Sequence, residues 1–231
     1  MSLRAYRVVA NPVPGVSFLL ELADDPTDLV ELLSIRGLTD PIARDARAML
    51  RLVPAGDWYH GPRAASAMAP FMHRAPSRFT SGIYGVLYAA ETLEIAWRES
   101  AYHAGRIATA ARMSAQPIGR VAFRLRLSTD RMADIRAGAS DDPKDPAIYD
   151  PDPRAYAAAQ RLGKRLRDAG NWTVRYTSVR HPPGSCFGVF VPRAIEHVED
   201  EGKSLRLLWD GTRIAAVEVI ETILLRSSGT V

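Results

Sequence analysis

Glu99 is the side chain whose position in this sequence most strongly suggests chemistry. It lies three and four positions after Ala96 and Ile95, at the edge of the apolar face of a predicted helix. Burying a carboxylate there costs free energy unless the group is paired or used. The alternative is a boundary glutamate that extends into solvent. Arg78 and Tyr88 precede it in the same short segment, so a guanidinium, a phenol and a carboxylate occur close together.

The common sequence motifs of other catalytic and nucleotide-binding sites are absent from the sequence. It contains no G-x-G-x-x-G, no P-loop, no H-E-x-x-H and no G-x-S-x-G pattern. The single cysteine, Cys186, excludes a disulfide framework, and its apolar strand context favours a core position. The five histidines lack ligand spacing, so we expect no metal. The polar candidates that remain are Arg78, Tyr88, Glu99 and Ser178, with His60, Arg63 and Arg180.

Composition limits the class of protein. The chain has 231 residues, of which 47% are hydrophobic, enough for one large domain or two small ones. The N-terminal residues lack an apolar segment of signal-peptide length, and no apolar run approaches membrane-spanning length, so we expect a cytoplasmic protein without membrane contact. A net charge of +4 favours anionic partners such as nucleic acid, nucleotides or an acidic protein. The basic run 161–167 is either a solvated helix face or a contact for one of these partners.

Periodicity predicts an α+β fold, with a mostly antiparallel sheet and helices packed around it. Alternating apolar residues predict a strand over 118–128, and helical spacing predicts helices from 91 and from 153, the latter ending at Gly170. Asp210-Gly211 predicts a type I′ hairpin. The opening third, with extended pieces at 3–9 and 16–22 and two helices within 24–53, is interpreted as a helical cap without chemistry.

Two segments together resemble the signature of RES-domain proteins, named for an arginine, a glutamate and a serine. The first is RFTSGIYGVLYAAETLEIAWRESAYH, which supplies Arg78, Tyr88 and Glu99 in the family's order. The second is RYTSVRHPPGSCFGVFVP, which supplies Ser178. The resemblance covers about residues 56–195. It implies a single RES-type domain over 1–231, with strands and a cap at 1–55, a core at 56–195 and a hairpin and tail at 196–231.

The resemblance also implies a function. RES proteins are toxins of bacterial toxin–antitoxin pairs whose antitoxin carries an Xre-type helix-turn-helix. Their fold resembles that of ADP-ribosyltransferases, a split antiparallel sheet with NAD in a central cleft. Members consume NAD without a metal, transferring ADP-ribose to water, phosphate or a host protein. Nucleic acid would then be contacted only through the antitoxin.

For this chain, the resemblance implies that Glu99, Arg78 and Tyr88 are catalytic and that Ser178, His60 and Arg63 bind NAD. His60 stands where shorter members have an arginine. Each has a structural alternative: Arg78 could pair with Glu99 or Asp57, Tyr88 could be a core residue, and Ser178 an ordinary strand serine. A basic nucleic-acid-binding protein without catalytic activity is the alternative function.

Overall fold

The computed structural model describes residues 1–10, 26–40, 44, 47–48, 53–72 and 75–221. Eight strands form one sheet in the order β4-β5-β6-β2-β1-β3-β7-β8, antiparallel except for the β4–β5 pair. In chain order the strands are β1 (Ser2–Ala10), β2 (Leu87–Ala90), β3 (Gln116–Ser128), β4 (Met132–Asp134), β5 (Thr173–Thr177), β6 (Ser185–Val189), β7 (Ile195–Trp209) and β8 (Ile214–Glu221). The predicted α+β class with a mostly antiparallel sheet is confirmed.

Within the described ranges, four α-helices pack around this sheet. They are α1 (Pro26–Arg36), α2 (Ala64–Met72), α3 (Leu93–Ala110) and α4 (Ala157–Asp168). The α3 helix begins where the predicted helical spacing starts, and the Thr92 hydroxyl accepts a hydrogen bond from the Ile95 N–H at its first turn. Just past α4, Gly170 takes a φ of +84°, the left-handed conformation that favours glycine after a helix. Single 3-10 turns occupy Ala55–Asp57, Pro146–Tyr149, Pro153–Ala155 and Pro192–Ala194.

The two faces of the sheet support two separate cores. Alternate residues of β1 point to opposite faces, so Ala5 joins one core and Tyr6 the other. The first core packs α1 and α2 against β1, β3 and β7. The second packs α3 and α4 against β2, β5 and β6, with Ile95 and Leu162 in contact with the same cluster as Val174. The α3 helix therefore lies on the second face.

The sheet opens between β1 and β2. These neighbours pair only at Tyr6 and Ala90, whereas β1 pairs with β3 along its whole length. The β2 strand instead pairs along its full length with β6. Beyond the one paired position the two strands leave a gap, and the Arg7 side chain donates across it to the Tyr88 carbonyl at 2.9 Å. This split forms a concave surface under α3.

Most of the predicted elements are found, and one turn differs. The β3 strand, the start of α3 and the hairpin of β7 and β8 are confirmed, but the type I′ turn predicted for that hairpin is wrong. The β7–β8 connection spans four residues, Asp210–Arg213, and only Gly211 among them has a positive φ. The Asp210 carboxylate accepts from the Thr212 and Arg213 N–H groups, which stabilises the longer turn. The predicted strand 16–22 and most of the second cap helix lie outside the described residues. None of the helices in the described ranges has the length and apolar character needed to cross a membrane.

Gly163 allows α4 to pack closely on the segment that carries Arg78. A Cβ at this position would lie 2.8 Å from the Cβ and 2.9 Å from the carbonyl carbon of Phe79. We expect Gly163→Ala to lower the free energy of unfolding by at least about 2 kcal/mol, because backbone rather than a flexible side chain must move. Chemical denaturation measures this. Gly105→Ala in α3 is the control, since its nearest neighbours lie at 3.7 Å or beyond. An equal fall in the free energy of unfolding in both variants would contradict the packing argument.

Candidate functional site

A cavity of about 490 Å³ lies at the split between β1 and β2. Its walls come from β1, β2, α3 and the segment that precedes β2, with Tyr156, Tyr176 and Cys186 closing it. Arg78, Tyr88 and Glu99, predicted together from the sequence, all line this cavity. The split sheet thus brings the loop, the strand end and the helix face into one concave site.

Glu99 is half-buried on α3 and is held by Ser178. The Ser178 hydroxyl donates to Glu99 Oε1 at 2.8 Å. The same hydroxyl oxygen accepts from the Arg180 and His181 N–H groups at 3.3 and 3.1 Å. No cation within the described ranges forms an ion pair with Glu99. The carboxylate is therefore oriented by a neutral donor at the wall of the cavity.

Arg78 is buried, with 7% of its surface exposed, and its partners among the described residues are all neutral. Its guanidinium donates to the Ile148 and Asp150 carbonyls at 2.8 and 3.1 Å, and to the Tyr156 hydroxyl at 3.3 Å. Its central carbon lies 4.4 Å from the centroid of the Tyr156 ring. A buried cation without a counter-charge favours an anionic ligand.

The two structural pairings considered for Arg78 do not form. Glu99 binds Ser178 instead, and Asp57 forms its ion pair with Arg193. The carbonyl groups thus hold the Arg78 guanidinium in place without neutralising its charge, which remains available to a ligand in the cavity.

Tyr88 links the Arg78 segment to β2. Its hydroxyl oxygen lies 2.8 Å from Ser77 Oγ and accepts from the Phe79 N–H at 3.0 Å. Burial raises the pKa of the Tyr88 phenol to about 12, so the group stays neutral at physiological pH. The hydroxyl therefore fixes the residues on both sides of Arg78, while the ring borders the cavity.

Arg7 is a cavity residue that the sequence interpretation missed. It lies on β1, in the opening third that was interpreted as free of chemistry, so part of that third borders the cavity. Its Nη1 donates to the Tyr88 carbonyl, and its Nε is buried without a partner among the described residues. Burial lowers the pKa of Arg7 to about 10, so it remains charged at neutral pH. The sequence signal for Arg7 was its place on an otherwise apolar strand face, which it shares with Leu3, Ala5 and Val9.

Three predicted NAD-binding residues lie off the cavity wall. Arg63 forms an ion pair with Asp200 at 3.2 Å, and its guanidinium carbon lies 5.9 Å from the Phe123 ring centroid. His60 lies in the loop before α2 and, like Arg63, does not border the cavity. Ser178 donates a hydrogen bond to Glu99 but does not itself line the cavity. The structure therefore joins Ser178 to the site through Glu99 and leaves His60 and Arg63 outside it.

Ser178→Ala tests whether this hydroxyl positions Glu99. Removing the donor leaves the Glu99 carboxylate with one fewer restraint on its orientation. For an enzymatic reaction at this cavity, we therefore expect kcat to fall about 10- to 100-fold with little change in KM. Ser178→Thr, which keeps a hydroxyl, should recover part of that loss. A rise in KM with unchanged kcat would contradict a positioning role. Steady-state kinetics measure both constants.

The remaining cavity groups limit the chemistry further. Burial raises the pKa of the Cys186 thiol to about 12, so this cysteine is a poor nucleophile at neutral pH. Among the residues that the structure describes, no three histidine, cysteine, aspartate or glutamate side chains cluster in a way that could hold a metal ion. What the cavity offers is three arginines (Arg7, Arg78 and Arg106), an oriented carboxylate and aromatic walls.

Comparison with known proteins adds one finding. A protein-family model described as RES domain matches residues 51–210. The matched range includes Arg78, Tyr88, Glu99 and Ser178, whereas Arg7 precedes it. No curated protein matches the sequence closely enough to serve as a relative.

Proposed function

The chain belongs to the RES-domain family, because the family model covers more than half of it, and on that premise we propose that it is the NAD-consuming toxin of a bacterial toxin–antitoxin pair. One observation carries the proposal. Arg78 and Glu99 line the same cavity, and each is held by neutral groups only. A site with separate, uncompensated positive and negative charges suits a substrate that has a pyrophosphate and develops a cation on its ribose.

The proposed reaction breaks the bond between the nicotinamide nitrogen and ribose C1′. The bonding electrons leave with nicotinamide, which departs as a neutral molecule, so no strong general acid is needed. Positive charge builds on the ribose, as in glycoside hydrolysis. Glu99 would stabilise this charge and accept a hydrogen bond from a ribose hydroxyl, with an effect strengthened by its half-buried position.

Arg78 and Arg7 would bind the anionic part of NAD. A guanidinium fork matches pyrophosphate oxygens in a bidentate geometry. Arg78 has its fork fixed by two carbonyl groups, and Arg7 has a buried Nε without a partner in the described chain. Tyr88 and Tyr156 supply aromatic surface for the flat rings of the substrate.

The second product depends on what attacks C1′. Water would give ADP-ribose, phosphate would give ADP-ribose 1-phosphate, and a protein side chain would give a modified protein. In each case the attacking group loses a proton to solvent or to a cavity group. We favour transfer to a host protein, because the N-terminal cap adds surface beside the RES core.

The proposed partner is an Xre-type helix-turn-helix antitoxin, as in other RES pairs, with nucleic acid contacted through that partner. A nucleic-acid-binding protein without catalysis has less support. In the basic helix α4, Lys164 pairs with Asp168, and the guanidinium carbon of Arg167 lies 4.7 Å from the Tyr84 ring centroid. Part of that basic face is therefore already engaged within the chain.

NAD labelled in its adenylate half, incubated with the protein and a cell lysate, tests the proposal. A labelled protein band would support transfer to a host protein, and labelled ADP-ribose or ADP-ribose 1-phosphate would support attack by water or phosphate. Recovery of all label as intact NAD would contradict the proposed activity. A reaction with the lysate alone is the control for host enzymes that consume NAD.

A further inference from the structure

A second concave surface lies between α3 and the edge strand β8. We call it the α3–β8 groove, and it encloses about 860 Å³. Trp97, Tyr102 and Arg106 form its α3 wall, and Ile214, Val217 and Val219 form its β8 wall. Arg106 also lines the split-sheet cavity, so the groove and the cavity meet at this residue.

The groove is strongly cationic. Four arginines line it, and within the described residues no aspartate or glutamate does. Arg98 pairs with Glu94 and Arg213 with Asp210, both from outside the groove. Arg106 and Arg180 have no ion-pair partner in the described ranges, and the Arg180 Nε is buried without a hydrogen bond. The excess positive charge favours an acidic ligand.

The β8 wall is also an unprotected sheet edge. This strand pairs only with β7 among the described strands, so one row of its backbone N–H and C=O groups faces outward. Val219 and Ile220 are 51% and 37% exposed. An exposed apolar edge strand is a template on which an extended peptide can add another strand.

We propose that the α3–β8 groove binds an acidic, extended segment of the protein that receives ADP-ribose. This inference rests on the proposed function. Backbone hydrogen bonds to β8 would hold the segment, its apolar side chains would contact Val217 and Val219, and its carboxylates would pair with Arg106 and Arg213. The groove adjoins the NAD cavity but is separate from it. A segment bound in the groove would therefore lie beside the mouth of that cavity and leave it open.

Three other occupants fit the groove less well. A nucleic acid could bind the groove arginines through its phosphates, but it would make no specific contact with the aliphatic β8 wall or the strand edge. Residues 222–231 of this chain contain Arg226 and no carboxylate side chain, so their charge does not complement the groove. A second copy would bring another set of groove arginines towards the first, which opposes association.

A fluorescent peptide of alternating glutamate and valine, ten residues long, is the probe. Anisotropy with the full chain should show binding that weakens as salt is added. Arg213→Glu should weaken it at least about tenfold, because the reversed charge repels the peptide. Val219→Ser should weaken it by a smaller factor through lost apolar contact. Arg161→Glu, on the exposed face of α4, is the charge-matched control and should leave binding unchanged.

Several results would overturn the inference. Equal binding of a lysine–valine peptide, or unchanged binding by Arg213→Glu, would remove the charge argument. A wild-type dimer that Val219→Ser dissociates would assign the groove to a second copy. Release of the peptide by ADP-ribose would mean that the segment enters the NAD cavity and belongs to an inhibitor. Nicotinamide release is measured separately, so the two failures are distinguishable: peptide binding without it would contradict the proposed function and the assignment of the segment to an acceptor protein, but not the groove as a site for acidic peptides.

Discussion

Glu99→Gln is expected to lower nicotinamide release from NAD about a thousandfold, while the melting temperature stays close to that of the wild type. Glutamine keeps the shape of the side chain and can still bond to the Ser178 hydroxyl. It removes the negative charge that faces the developing ribose cation, and such electrostatic stabilisation is typically worth two to three orders of magnitude. Chromatographic measurement of nicotinamide gives the rate.

Glu94→Gln is the matched control for this substitution. Glu94 lies on the same helix, but its carboxylate faces solvent and pairs with Arg98 at 2.8 Å. An exposed helix pair of this kind contributes little to stability, because solvent screens the two charges. We therefore expect activity near that of the wild type. Full activity in Glu99→Gln, or equal losses in both variants, would remove Glu99 from the catalytic role.

Arg78→Met is expected to lower kcat/KM for NAD about a hundredfold, mainly through KM. The substitution removes a buried cation that would make charge-assisted hydrogen bonds to the pyrophosphate, each worth about 1.5–3 kcal/mol. It also leaves the Ile148 and Asp150 carbonyls without a donor, so a fall in stability accompanies it. Steady-state kinetics and thermal melts on the same samples measure the two effects.

Arg78→Lys separates binding from stability. Lysine keeps the positive charge but not the planar fork, so it can still donate to a carbonyl while losing bidentate recognition. We expect kcat/KM to fall between the wild-type and Arg78→Met values, with stability close to that of the wild type. An unchanged KM in both variants would contradict a substrate-binding role for Arg78.

The parts of the fold that the sequence predicted are those set by local patterns. The alternation in 118–128 reappears in β3, all but its first two residues, and the change to helical spacing after Glu91 reappears as α3. The edge position of Glu99 on that helix also follows from spacing. Its contact with Ser178, 79 residues later, could be anticipated because both segments belong to one family signature.

The parts that could not be predicted depend on tertiary placement. Arg7 reaches the cavity because β1 lies between β2 and β3, and its contact with Tyr88 spans 81 residues with no motif around Arg7. His60 was linked to NAD by alignment with an arginine in shorter family members, yet its loop lies away from the cavity. The α3–β8 groove likewise forms between elements more than 100 residues apart, which periodicity cannot pair.

Incubating the purified protein with NAD alone and identifying the products by mass tests the central claim most directly. The account predicts a steady rise in free nicotinamide, matched mole for mole by ADP-ribosyl products, in the wild type and in Glu94→Gln but not in Glu99→Gln. Intact NAD after prolonged incubation with folded wild-type protein, both with and without phosphate and an acceptor protein, would contradict it.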